Sequence, residues 1–374
     1  MRKLYQLFLK VKDKRGLQGK RYPLFAILNL VLLSKLCGAV SIKEAWVLSR
    51  ELHPKQWFSL GFRRHERISY SALLEALQSV DVTSLEKAIG SCHVPERHLA
   101  VDGKALAGRT TEAGDAYHLV SLFGTELCSV LAQKRSKKGG GEISVALDLI
   151  KQVEIREKVI TGDALYANAP LCEAIVGNGG DYAFTLKSNQ QTLRHEMLQV
   201  FRLNPWQDHP DVVRSYEEDM SKAHGRIEMR KIEVMSNPYT HYCNGFDTIR
   251  QIAKITRYRH VMGTEPHAGE ATVSYMVTSL DAGRTTPKEL LRLNRNHWSI
   301  ENRLHRHRDV LYAEDKGTLR SKEAPQVNAA LNNIGLKLLS DIKKTSKAYG
   351  ALSLKHLAGT LSRKLTLPIS ILSA

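Results

Sequence analysis

Cysteine is sparse and scattered. The five cysteines, Cys37, Cys92, Cys128, Cys172 and Cys243, include no C-x-x-C pair. That excludes a zinc ribbon and a disulfide framework, and it fits a reducing cytoplasm. Long apolar runs are missing too. The most apolar stretch, residues 22–40, is interrupted by Asn29, Ser34 and Lys35 and follows a basic start without a small-residue cleavage pattern. It reads as a buried helix, so membrane insertion and secretion are not expected. Acid is in deficit: 38 Asp plus Glu stand against 55 Lys plus Arg, a net charge of +17. No internal repeat is visible, and low complexity is confined to residues 134–141. What remains is a 374-residue chain, 43% apolar, long enough for a substantial core and for two domains or more. A large positive excess on an ordinary globular composition points to a polyanionic partner, in practice nucleic acid or an anionic membrane surface.

Apolar residues recur at helical spacing from Tyr22 to about Gly90, as in Leu28, Val31, Leu32 and Leu36, and then Leu73, Leu74 and Leu77. This predicts a helical N-terminal domain over 1–95, closed by the proline of Cys92-His93-Val94-Pro95-Glu96. Runs of strand length follow at Leu99–Val101, His118–Phe123, Ser129–Ala132, Lys158–Ile160 and Tyr182–Leu186. Helical patterns fall at Ile143–Gln152, Asn168–Val176 and Gln190–Phe201. Three strands on short connections, then strand-helix-strand-helix, predict an α/β fold with a ribonuclease H-like mixed sheet. Residues 205–269 change to alternating polar-rich segments, Ile227–Val234 and Thr248–Thr256, with turn signals at Asn237-Pro238 and Asn244-Gly245, and read as a mainly β insertion. A strand at Thr272–Leu280, helices from Pro287 and an amphipathic helix at Ala324–Ile342 complete a catalytic core over 96–204 and 270–345, leaving 346–374 as a C-terminal tail.

Two acids sit where an apolar strand meets a small residue: Asp102 in Ala100-Val101-Asp102-Gly103-Lys104, and Asp163 in Ile160-Thr161-Gly162-Asp163-Ala164. Carboxylates on rigid strand ends suit a hard, oxygen-coordinated cation, although Asp-Gly and Asp before a helix also serve as plain turns and caps. The third acid is Glu301. On a continuous helix His297, Glu301, His305 and Arg308 would share one face while Ile300, Leu304 and Leu311 pack inward, a phosphate-facing arrangement or an ordinary solvated charged helix.

Five runs in order carry a resemblance: Ala100 to Lys104; Gly162-Asp163-Ala164-Leu165-Tyr166; Gly179 to Gln190; His224-Gly225-Arg226; and Asn296-His297-Trp298-Ser299-Ile300-Glu301-Asn302-Arg303-Leu304-His305. Together they resemble the DDE transposases of bacterial insertion sequences, in the ISAs-type group that includes the H-repeat-associated proteins. The resemblance implies a ribonuclease H-like core with a β insertion before its last acidic helix. It carries the catalytic, metal-holding acids onto Asp102, Asp163 and Glu301, and a phosphate-facing lysine onto Lys187. Asp163 follows Asp102 by 61 residues, which fits two strands of one sheet, whereas the 138 residues to Glu301 require the insertion.

The implied activity is strand cleavage and transfer on double-stranded DNA, at terminal inverted repeats and at target DNA. Its cofactor would be Mg2+, with Mn2+ as a substitute, held as two ions by the three acids. Lys104, Lys187, His297, Arg303, His305 and Arg308 are the expected DNA contacts, and Arg63-Arg64-His65-Glu66-Arg67 the best candidate for terminal-repeat binding. A homodimer on DNA and a cytoplasmic, nucleoid-associated location in a bacterium are expected. One departure stands out: Arg306-His307-Arg308 occupies positions where the family carries an aromatic and two apolar residues. That run supports a rival reading, a catalytically inactive, transposase-derived DNA-binding protein. A zinc hydrolase built on His297, Glu301 and His305 lacks the H-E-x-x-H spacing. Asp309, about 12 Å further along a helix axis, competes with Glu301 for the third place and otherwise pairs with Arg306 or Arg308.

Overall fold

A computed structural model describes residues 7–90, 96–110, 116–136, 141–187, 190–203, 213–223, 226–236, 245–261, 270–316, 319 and 323–373. The runs Cys92-His93-Val94-Pro95, His224-Gly225, Ser188-Asn189 and Asn237-Pro238, and residues 137–140 of the stretch 134–141, lie outside them. The chain divides into two compact units, one comprising Met1–Pro95, Gly103–Val145 and Ile300–Ala374, the other Glu96–Asp102 and Ala146–Ser299.

The first unit is built around α1, Leu24–Leu36, whose residues are buried on every side except at Phe25. A helix apolar all round belongs at the centre of a bundle. Around it come α2 (Ile42–Glu51), α3 (Pro54–Ser59), α4 (Tyr70–Gln78) and α5 (Val82–Gly90). Polar caps set their starts: Ser41 Oγ accepts from the Glu44 amide and Ser69 Oγ from the Ala72 amide, each satisfying an orphan N–H of the first turn. The same unit holds part of β1 (His98–Thr110) with β2 (Ala116–Gly124) and β3 (Ser129–Ser136) in the order β3-β2-β1. Its last elements are α10 (Arg306–Tyr312), α11 (Ala324–Thr345), α12 (Leu354–Arg363) and α13 (Thr366–Ser373). Residues 346–374, expected as a tail, instead fold as α12 and α13: Leu357, Ala358 and Leu361 are buried, and both helices pack against α1.

The second unit is a mixed sheet with strand order β1-β4-β5-β9-β8-β7-β6. Here α6 (Glu142–Gln152), which begins in the first unit, leads to β4 (Val159–Gly162), α7 (Ala169–Gly177), β5 (Asp181–Leu186) and α8 (Gln191–Leu203). Then come β6 (Val213–Ala223), β7 (Arg226–Ser236), β8 (Gln251–Val261), β9 (Glu270–Thr278) and α9 (Pro287–His297). β1, β4 and β5 are parallel, and β9 pairs antiparallel with β5 and with β8. Strands β6 to β8, from the segment read as an insertion, hydrogen-bond onward from β9 in the same sheet. Leu290, Leu291 and Leu293 of α9 close over Ile232, Val234, Ile255 and Met276 on one face.

Candidate active site

In the second unit Asp102 and Asp163 are placed by strand register. β1 and β4 pair as Ala100↔Thr161 and Val101↔Gly162, so the acids are the next residues on two neighbouring parallel strands. Gly162 permits that approach. A Cβ there would lie 2.9 Å from Tyr166 Cβ, 3.0 Å from the Phe184 ring and 3.1 Å from Val101. Asp163 also closes the following turn, its Oδ1 accepting from the Leu165 amide at 2.9 Å. Its Oδ2 lies 3.8 Å from Nζ of Lys187, which follows β5 and is 59% exposed. An acid, an acid and an open cation thus end three consecutive parallel strands.

His297, the last residue of α9, is held to this sheet. Its Nδ1 lies 3.3 Å from Thr161 Oγ1, which is 2.8 Å from His98 Nε2. Burial pushes the His98 imidazole down to about 3, with His297 and Arg292 adding to the effect, so it stays neutral. The structure therefore gives His297 a partner on β4.

In the first unit the run around Glu301 departs from the single helix its spacing predicts. Residues Ile300–His305 wind as a π-helix, and α10 resumes the ordinary winding at Arg306. A wider turn re-aims side chains, and such turns recur at functional positions. His305 Nδ1 sits 3.4 Å from Glu301 Oε1, the imidazole 5% and the carboxylate 51% exposed. Burial lowers the affinity of His305 for a proton more than Glu301 raises it, and Arg308 and Lys104 act in the same direction as burial. A neutral ring with its proton on Nδ1 can donate to the carboxylate and steer it. Glu301 and His305 line a cavity of about 450 Å3 with Gly103, Lys104, Arg306 and Asp309.

Of the expected DNA contacts, Arg308 is corrected by its burial, and Lys104 is held by two carboxylates. Lys104 is only 10% exposed, and its Nζ lies 2.5 Å from Asp309 Oδ2 and 3.6 Å from Asp315 Oδ1. Asp309 therefore pairs with a lysine of β1 and not with Arg306 or Arg308. Arg308 is fully buried: its Nε donates to Glu314 Oε2 at 2.6 Å, and Glu314 Oε1 accepts from Asn332 at 2.9 Å. A guanidinium enclosed in this way cannot reach DNA, and the unusual Arg306-His307-Arg308 run is accommodated by an internal partner. His307 accordingly turns back on the Arg303 carbonyl at 2.8 Å, leaving Arg306 exposed. Arg303 is exposed and donates to the Thr125 carbonyl at 3.2 Å. Glu314 and Asp315 carry no signal in the sequence because Ala313, left-handed at φ 44° and ψ 43°, ends α10 and reverses the chain.

Residues 93–335 match the family profile described as a transposase DDE domain. The chain belongs to the DDE transposase family. All three candidate acids lie inside the matched stretch, and the relatives place this transposase in the H-repeat-associated type. It is 29% identical to the H repeat-associated protein YhhI of Escherichia coli (strain K12) over 342 residues, covering 84% of this chain and 85% of that one. With the protein YbfL of the same strain it shares 30% identity over 257 residues, 66% of this chain and 64% of YbfL. Among solved structures, a piggyBac transposase synaptic complex with hairpin DNA superimposes on 99% of this chain and 77% of that one, with a TM-score of 0.46 and 11% identity.

Proposed function

We propose that this transposase cleaves and joins DNA at element ends through a ribonuclease H-like core in which Asp102, Asp163 and Glu301 hold two divalent cations. The observation that carries the reading is the pair of acids at adjacent parallel strand ends. The donor set fits: three carboxylate oxygens with exposed or half-exposed side chains are what Mg2+ or Mn2+ takes. Bound there, the cations would activate water or a DNA 3′-hydroxyl and stabilise the leaving oxygen.

The chain's own groups do the positioning. Asp163 is fixed by its turn hydrogen bond, and Lys187 beside it offers an open ammonium to a phosphate. Glu301 is oriented by neutral His305, whose Nδ1 stands 3.4 Å from its carboxylate. Lys104, held by Asp309, sets a positive charge in the cavity wall. Exposed Arg303 and Lys187 remain as phosphate contacts, in a protein that acts on DNA as a homodimer in the bacterial cytoplasm. No helix among the described residues is long and apolar enough to cross a membrane.

The rival, a catalytically silent DNA-binding protein, drew on the basic run at 306–308, and the pairing of buried Arg308 with Glu314 supports the active reading over it. Incubation of element-end DNA with Mg2+ tests the choice. Asp102→Asn and Asp163→Asn should lose cleavage and keep most binding, because each removes a metal ligand and few phosphate contacts. Cleavage retained in either variant would refute the site.

A further inference from the structure

Three side chains meet behind the aspartates of the second unit, and none of the three is an acid. Thr161 of β4 holds its hydroxyl 2.8 Å from His98 Nε2 and 3.3 Å from His297 Nδ1, and donates to the Leu99 carbonyl at 3.3 Å. A hydroxyl has one proton and two lone pairs. Because a carbonyl only accepts, the proton goes to Leu99 and both imidazoles donate to Thr161 Oγ1. The contacts thereby fix the tautomers, His98 with its proton on Nε2 and His297 with its proton on Nδ1. A neutral His98, 4% exposed, suits this pattern.

Two of these bonds cross from β1 to β4. The strands already pair from His98↔Val159 to Val101↔Gly162, and the next residues are Asp102 and Asp163. His98, Ala100 and Asp102 alternate onto one face of β1, and Ala100 stands in register with Thr161. The hydroxyl therefore lies on the face of Asp102, one pleat, about 6.6 Å, behind it. Thr161 likewise precedes Asp163 by two residues. The third bond, from His297, brings the end of α9 to the same point. Stability does not call for this arrangement. Leu99, Val101 and Ile160 beside it are buried and apolar, and an apolar residue would fill the position with no polar group to desolvate. What a satisfied polar cluster adds is a single geometry.

We propose that Thr161, bridged to His98 and His297, is a positioning residue that clamps β1 to β4 and so fixes the separation of Asp102 and Asp163 for the cations. The inference rests on the cation-holding acids proposed above. It gives His297 a task inside the protein and gives His98 and Thr161 a part in the reaction.

Calorimetric titration of the full chain with Mn2+, in the absence of DNA, tests the clamp apart from activity. Thr161→Val keeps the shape and removes the hydroxyl. It should weaken Mn2+ binding about tenfold, the low end of what losing an outer partner of metal ligands costs. Half-saturating Mg2+ for cleavage should rise by a similar factor, with the rate largely recovered at saturating Mg2+. Thr161→Ser should restore wild-type binding. Thr278→Val removes another buried hydroxyl of this unit, one that donates to the Tyr182 carbonyl at 2.6 Å. It should lower thermal stability and leave the Mn2+ affinity unchanged. If Thr161→Val does not fold, His297→Phe, which keeps a ring and removes Nδ1, carries the same test. Wild-type Mn2+ affinity in whichever of the two folds overturns the clamp, as does an equal loss in Thr278→Val. Failure of both to fold also overturns it, since that marks the cluster as structural only. A wild-type chain that binds no Mn2+, or whose binding survives Asp163→Asn, overturns the cation site itself and the clamp with it.

Discussion

Arg308 shows how a single residue changes meaning once its surroundings are known. As a sequence feature it is one more cation on a DNA-facing helix; in the structure it is a buried charge whose carboxylate partner is also enclosed. Removing one member of such a pair strands the other. Arg308→Ala should therefore destabilise the protein by about 3–5 kcal/mol, whereas Arg308→Leu combined with Glu314→Gln should cost distinctly less. Denaturant unfolding of the single and double variants measures the difference. Equal losses would mean that the pair contributes no coupling. Lys104 and Asp309 form a more exposed pair, so Asp309→Asn should cost only about 1 kcal/mol.

At the scale of elements, the parallel strands hold the two aspartates and tolerate little change between them. Gly162→Ala would press a methyl against Tyr166, Phe184 and Val101, which pack at 2.9–3.1 Å from where it would stand. The expected outcome is a loss of about 1–3 kcal/mol together with slower cleavage, measured by unfolding and by turnover of the same preparation. β1 also carries a proton-sensitive residue. His98 binds its proton in the unfolded chain near the ordinary 6.5 but in the folded chain only at about 3. The unfolded state therefore holds more protons between those values, and stability falls as pH drops from 6.5 towards 3, by at most about 1.4 kcal/mol per pH unit from this one group. His98→Gln should flatten the stability curve between about pH 4 and 6.5, and an unchanged curve would contradict the assignment.

Much of this layer of structure is legible in the sequence. Apolar runs mark β4 and β5 to within a residue or two, because fully buried parallel strands read as unbroken hydrophobic stretches. The alternating segment at Ile227–Val234 likewise falls within β7, and that at Thr248–Thr256 overlaps β8. The site is legible through the positions of its acids and not through their partners. Four-residue spacing presumes α-helical winding, which the π-turn at Ile300–His305 breaks. The partners of Lys104 and Arg308 lie 205 and 6 residues away, the second beyond a left-handed alanine, and no local periodicity reports such pairings. The helices of 346–374 leave little trace because they are short and owe their stability to packing against α1.

Over the whole molecule the net charge of +17 makes a prediction independent of any single side chain. Contacts to six or more phosphates imply that DNA affinity falls on the order of a thousandfold between 50 and 200 mM salt. A flat response would argue against an extended DNA interface. Charge alone, however, does not separate an active enzyme from a silent binder, and substitution of the acids does. Glu301→Gln and Asp309→Asn, compared side by side for Mg2+-dependent cleavage of element-end DNA at saturating protein, address that most directly. Glu301→Gln should reduce cleavage to background with binding intact, and Asp309→Asn should only slow it by loosening Lys104. The reverse pattern would move the third ligand to Asp309, and full cleavage in both variants would contradict the three-carboxylate site.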